Sequence, residues 1–169
     1  MPSKDACPCG SGRPYKACCE PFHKGLREPP DAEALMRSRF AAFAKKEAAY
    51  LVRTLHPDHE DRATDEALLV KQLRASASEF RYAGLAILDK APPDADGIAR
   101  VLFLARVFRK SAELSFVELS DFAHDGAGWR YLRGTNMPVA AIKGNPLELR
   151  IPSFEALPAA RRPPRAERR

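Results

Sequence analysis

Four cysteines stand within thirteen residues near the start of the chain, Cys7 and Cys9 one residue apart and Cys18 and Cys19 side by side. Thiolates are soft ligands, and zinc takes four of them tetrahedrally at about 2.3 Å. A set of four leaves no coordination position for water, so the chemistry implied is one structural zinc ion (Zn2+) rather than a hydrolytic centre. Gly10 and Gly12 let the chain turn so that the first pair faces the second, and their amides are candidates for orienting the sulfurs by hydrogen bonds. Two alternatives stay open from the residues alone. One is a loose head with four reduced thiols and no metal; the other is an iron–sulfur cluster, although these spacings differ from the familiar ferredoxin ones. A Gly/Pro-rich head without metal has little apolar contact to offset its chain entropy, whereas zinc supplies about 10–16 kcal/mol in small zinc peptides. With all four thiols on metal, cysteine nucleophilic catalysis is excluded.

Elsewhere the reactive side chains are sparser. His56, Asp58, His59 and Asp61 gather around Pro57, and Arg106 interrupts an apolar run. An acid–base pair needs two groups within hydrogen-bond reach in a water-poor cavity. The His56-Pro57 step reads instead as helix termination, so no catalytic residues are assigned. Arg39, His56 and Arg106 are carried as candidate pocket residues. Arg39 either lines the mouth of a cavity or lays its stem on apolar surface with its head in water. Between the two cysteine pairs, Arg13, Tyr15 and Lys16 are the candidate docking surface for a partner, with Tyr15 alternatively roofing the metal loop.

The elements that must position these groups follow from the hydrophobic period. Asp31 is a plausible N-cap, and Leu35, Met36, Phe40, Phe43 and Ala44 recur at helical spacing after it. A second helix over about 48–55 stops before Pro57. A third, over 65–78, is expected to turn Leu68, Leu69, Gln72 and Leu73 inward. From Phe80 the pattern changes to strands: 80–88, 98–110, 113–123 with Leu114, Phe116, Glu118, Ser120 and Phe122 on one parity, and 129–133. Trp129 and Tyr131 share an aromatic, core-facing parity there. Helices first and an antiparallel meander afterwards is an α+β pattern. The chain divides into a head (1–30), a periodic body (31–135) and a Pro/Arg-rich tail (136–169) expected to be largely disordered.

Charge and hydropathy bound the partners. The net charge is +6. Residues 161–169 hold five arginines and one glutamate, or +4, which leaves +2 for everything else. That tail offers weak contact with RNA through counterion release or serves only as a solvated end. The longest apolar run, Val101 to Phe108, is broken by Arg106 and is too short to span a bilayer. With no secretory apolar region near Met1 the expectation is a cytoplasmic protein, where thiols stay reduced and bind metal.

The stretch Cys7-Pro8-Cys9-Gly10-Ser11-Gly12-Arg13-Pro14-Tyr15-Lys16-Ala17-Cys18-Cys19 resembles the SEC-C motif, known from the C-terminus of the SecA translocation motor and from many bacterial proteins. Together with Ala34–Phe43, Tyr50–Pro57, Phe116–Phe122 and Gly128–Tyr131 it resembles the YchJ family, also called UPF0225, over roughly residues 5–134. The resemblance implies a nuclear-transport-factor-two-like, cystatin-like cone of helices on a curved antiparallel sheet, carrying an N-terminal zinc knuckle. It implies a zinc-binding interaction or adaptor protein whose knuckle docks on a protein or ribonucleoprotein of the translation, secretion or chaperone machinery. Two other functions remain: a small-molecule binding protein or enzyme using the cone pocket, and RNA or ribosome association through the basic tail.

Overall fold

The computed structural model describes residues 4–160. After the cysteine head come a short helix α1 (Glu20–His23), the long helix α2 (Ala32–Lys45), α3 (Ala48–Arg53) and α4 (Glu66–Glu79). Strands β1 (Arg81–Ala91), β2 (Ala99–Arg109), the two-residue β3 (Ala112–Glu113), β4 (Phe116–His124) and β5 (Trp129–Pro138) follow, and α5 (Ile151–Glu155) lies near the end. Asp31 caps its helix as expected, and two further caps stand beside it. Asp31 accepts the Ala34 amide at 2.7 Å, Asp65 accepts that of Leu68 at 3.0 Å, and Lys46 ends α2 in the left-handed region at φ 62°.

The sheet runs β1-β2-β4-β5, antiparallel throughout, with β3 paired to β2. Phe103 sits opposite Ile87 on one side and Glu118 on the other. Register breaks between Tyr82 and Gly84, between Ile87 and Asp89, and between Asp121 and Phe122 are bulges of the kind that bend a sheet. The helices close one face: Leu35, Met36 and Phe40 of α2 pack on Val101, Phe103, Ala105 and Val107 of β2.

Two expectations change. On α4 the inward residues are Leu69, Leu73 and Ala77, while Gln72 is exposed and Leu68 is 47% exposed, because the helix meets α3 on a face turned one residue C-terminal of the expected one. The expected disordered tail does not begin at 136. β5 continues to Pro138, and Met137, Ile151, Phe154 and Ala160 pack on Leu102, Leu104, Val117 and Leu119. Residues 136–160 thus cover the sheet face opposite the helices, which is why β2 reads as a continuous apolar run rather than an alternating one. The arginine-rich stretch 161–169 lies outside the described residues. On β5, Arg130 is itself buried between the aromatics, held by Glu28 at 2.8 Å and Asp125 at 3.0 Å, and so ties the end of the head to the β4–β5 turn.

Candidate functional site

The head closes as a short loop. The Cys7 amide donates to the Arg13 carbonyl at 2.8 Å, and Gly10 and Gly12 take positive φ of 77° and 76° between the cysteine pairs. At Gly10 a side chain would also meet the Leu85 carbonyl of β1 at 3.1 Å, so glycine is needed for both the turn and the approach to the body. The four sulfurs converge: every pair lies within 4.8 Å. Cys9 and Cys18 are 3.6 Å apart, and Cys18 and Cys19 3.9 Å. Sulfurs around one tetrahedral ion at about 2.3 Å must stand about 3.8 Å apart, so the two measured separations bracket the required one. All four side chains are buried, with at most 4% exposed. The donor set fits a four-coordinate divalent cation, whose coordination four thiolates complete.

The protonation of the cluster points the same way. Hydrogen bonds from Cys19 and Cys7 hold Cys9 far below the usual thiol range. Cys7 gains the stabilising bond from Cys19, yet its bond with Cys9 and its burial push it up to about 11. Bonds to Cys7 and Cys9, then burial, push Cys19 up strongly. Among Cys7, Cys9 and Cys19 a thiolate on one therefore disfavours a thiolate on the others, a competition that a bound cation would relieve. The amides of Cys9, toward Cys7, and of Ser11, toward Cys9, act in the direction of the thiolate. Cys18 has Ser11 Oγ at 3.2 Å and receives Arg13 Nη2 at 3.5 Å.

The cluster is also seated on the body. Ala41 of α2 packs directly against the cysteines, and Arg37 donates to the Cys9 carbonyl at 2.8 Å. The Ser38 carbonyl can only accept, so His23 carries its proton on Nε2 and donates there at 2.8 Å; Nδ1 then accepts from the Tyr15 hydroxyl at 2.7 Å. Tyr15 is thus half-buried against the cysteines with Lys45 over its ring at 4.7 Å. Arg13 and Lys16 are exposed.

A second concavity lies between α2 and the sheet, with a volume of about 380 Å³. Its walls are largely aromatic, including Phe40, Phe43, Phe80, Tyr82, Phe103 and Phe116, and its polar groups are Arg39, Glu118, Ser120 and Tyr131. Arg39 is 7% exposed; its Nη1 donates to the Leu51 carbonyl at 2.8 Å and to Thr54 Oγ1 at 2.6 Å, and its guanidinium lies 4.8 Å over the Tyr131 ring. Burial draws its pKa down from the ordinary value. Glu118 Oε1 accepts from Ser120 at 2.7 Å and from Tyr131 at 3.0 Å. Of the other pocket candidates, Arg106 points away from the cavity, exposed, 3.8 Å from Glu113 and over Phe108, because Phe103, Ala105 and Val107 hold the inward parity of β2. His56 does not line the cavity; its Nδ1 accepts the Asp58 amide at the turn. His59 packs on Tyr131 at 5.4 Å and caps a following turn through Nδ1. Neither forms an acid–base pair inside the cavity. Glu118, Ser120 and Tyr131 were not foreseen as pocket groups; two polar residues on the apolar parity of β4 were the available signal.

A four-thiol head seated on a conical α+β body defines the class: a SEC-C motif joined to an NTF2-like domain. The SEC-C motif model matches residues 4–21, and the model of the YchJ middle NTF2-like domain matches residues 31–134. The chain belongs to the YchJ (UPF0225) family. It is 36% identical over 129 residues to the UPF0225 protein YchJ of Shigella dysenteriae serotype 1, covering 76% of this chain and 82% of that one. The solution structure of RPA3114, a SEC-C motif containing protein from Rhodopseudomonas palustris, superposes with a TM-score of 0.64 at 35% identity, covering 76% of this chain and 95% of that one. A domain with a cystatin-like fold from Nostoc punctiforme superposes at 0.50 with 11% identity over 70% of this chain and 78% of its own, which shows the fold alone. Among the described residues no helix is long and apolar enough to cross a membrane.

Proposed function

We propose that this chain is a zinc-binding interaction protein, in which the metal locks the head into a rigid loop that docks on an acidic protein surface of the translation, secretion or chaperone machinery. The observation that carries the metal part is the buried convergence of four sulfurs, all within 4.8 Å of one another. Four thiolates and no open position suit zinc in a structural role. What supports docking is the sidedness of the head. Its inner side is occupied by Ala41, Arg37 and Ser38 of α2, so the outer edge with Arg13 and Lys16 is what a partner can reach.

Protein purified without added zinc should carry about one equivalent by elemental mass spectrometry, and the Cys18→Ser, Cys19→Ser variant should carry almost none. Less than about half an equivalent, with thiols freely reactive, would remove the metal reading. For docking, Arg13→Glu with Lys16→Glu should abolish crosslinks to the partner while zinc content stays unchanged. Crosslinks that survive this reversal would remove the docking reading, and crosslinks lost only on nuclease treatment would assign the contact to RNA. Capture that persists after deletion of residues 161–169 excludes the basic tail as its carrier.

A further inference from the structure

We propose that the cone cavity is a binding site for a small apolar monocarboxylate, its hydrocarbon body among the phenylalanines and its carboxylate on the free edge of the Arg39 guanidinium. This goes beyond the metal-dependent docking role and does not rest on it. The volume of about 380 Å³ falls within the usual range for small-molecule sites, roughly 300–1,000 Å³. The wall is aromatic enough to take an aryl or branched alkyl group. Phe40 and Phe43 come from α2, Phe80 from the junction of α4 and β1, Tyr82 from β1, and Phe103 and Phe116 from β2 and β4.

The head group follows from the hydrogen bonding of Arg39. Both of its hydrogen bonds leave from Nη1, so Nε and Nη2 carry none to the described residues. No described carboxylate forms an ion pair with it; Glu118 and Asp61 act on it only through space. A charge removed from water without a paired counter-ion is costly, and the geometry left over is the planar two-donor edge that a carboxylate matches. Thr54 and the Leu51 carbonyl fix the guanidinium from behind, so that edge is pre-oriented. Glu118 does not compete for the role: its Oε1 is committed to Ser120 and Tyr131. It also sets a limit, since a second negative group on the ligand would face a carboxylate, which favours a single anionic end.

The test is titration of the full-length, zinc-loaded chain with phenylacetate, indole-3-acetate and 4-methylpentanoate, and with the corresponding amides, followed by amide-proton chemical shifts. At least one carboxylate should bind saturably and shift residues of α2, β2 and β4, and its amide should bind roughly ten- to a hundredfold more weakly, the value of a charge-assisted hydrogen bond. Arg39→Met should remove the preference for the carboxylate. Because that residue also bonds Thr54 and Leu51, Ala105→Phe provides an independent variant. It fills the cavity from β2 without touching Arg39 and should abolish binding while circular dichroism and zinc content stay unchanged. Amides that bind as tightly as the acids, acids that all fail to bind, or binding that survives in Ala105→Phe would each overturn the proposal.

Discussion

Replacing Phe154 by alanine asks whether the segment after β5 is part of the fold or an appendage lying on it. Phe154 is fully buried and packs with Leu102, Leu104, Val117, Leu119 and Met137 of the sheet and with Ile151 of its own segment. Removing a fully buried phenylalanine side chain costs about 3–5 kcal/mol, the transfer loss plus the cavity left behind. For a chain of this length each kcal/mol lowers the midpoint by about 2–4 °C, so Phe154→Ala should melt about 6–20 °C below the parent. Both proteins are compared zinc-loaded, by circular dichroism with calorimetry, so that metal occupancy does not differ. The neighbouring Glu155→Ala is the control. It removes a 2.6 Å ion pair to Arg100 whose partners are 29% and 44% exposed, and such a pair is worth no more than about 1 kcal/mol. A Phe154→Ala midpoint within about 3 °C of the parent, or equal to that of Glu155→Ala, would refute the assignment of residues 136–160 to the core.

Two further outcomes follow from single residues. Burial holds both His23 and His59 below their ordinary value of 6.5, so the unfolded chain takes up protons before the folded one does. Stability should be level above about pH 7 and fall as the pH drops below 6.5. His59, remote from the thiols, isolates the effect: His59→Gln should flatten the decline in melting midpoint between pH 7.5 and 5.5, and an unchanged slope would contradict the burial argument. Asp31→Ala removes the cap on the Ala34 amide and should cost about 1 kcal/mol in urea denaturation, with Asp31→Asn recovering most of it.

Much of this was legible because it is local. Cys7, Cys9, Cys18 and Cys19 announce their site through residue type and spacing. Asp31 announces a helix start by standing just ahead of a helical apolar period. Strand parity likewise placed Phe116, Glu118, Ser120 and Phe122 on one face. What parity did not say is which face of each strand turns toward the cavity, so Arg106 was drawn in although it alternates with Ala105 and Val107, the residues that do line it. The C-terminal clasp was illegible for a different reason. Met137, Ile151 and Phe154 are scattered among prolines and polar residues with no period of either kind, and only the sheet they cover gives them a common direction. The face of α4 was misjudged because Leu68 and Leu69 are equally apolar, and packing on α3 decides between them.

The two candidate sites meet on α2. Arg37, Ser38 and Ala41 face the cysteine head, through the Cys9 carbonyl, His23 and direct packing on sulfur. Met36, Arg39, Phe40 and Phe43 face the cavity. The sets interleave along two turns of helix, which is possible because residues three and four apart share a face while neighbours point elsewhere. Neither set can be repositioned alone: the backbone that carries Arg37 and Ser38 also carries Arg39. The Ser38 hydroxyl strengthens this connection, donating to the Leu35 carbonyl and lying 2.6 Å from the hydroxyl of the buried Tyr50 on α3. A cation held by the head would therefore do more than order thirteen residues. It would brace the outer side of the helix whose inner side carries the Arg39 guanidinium to the cavity.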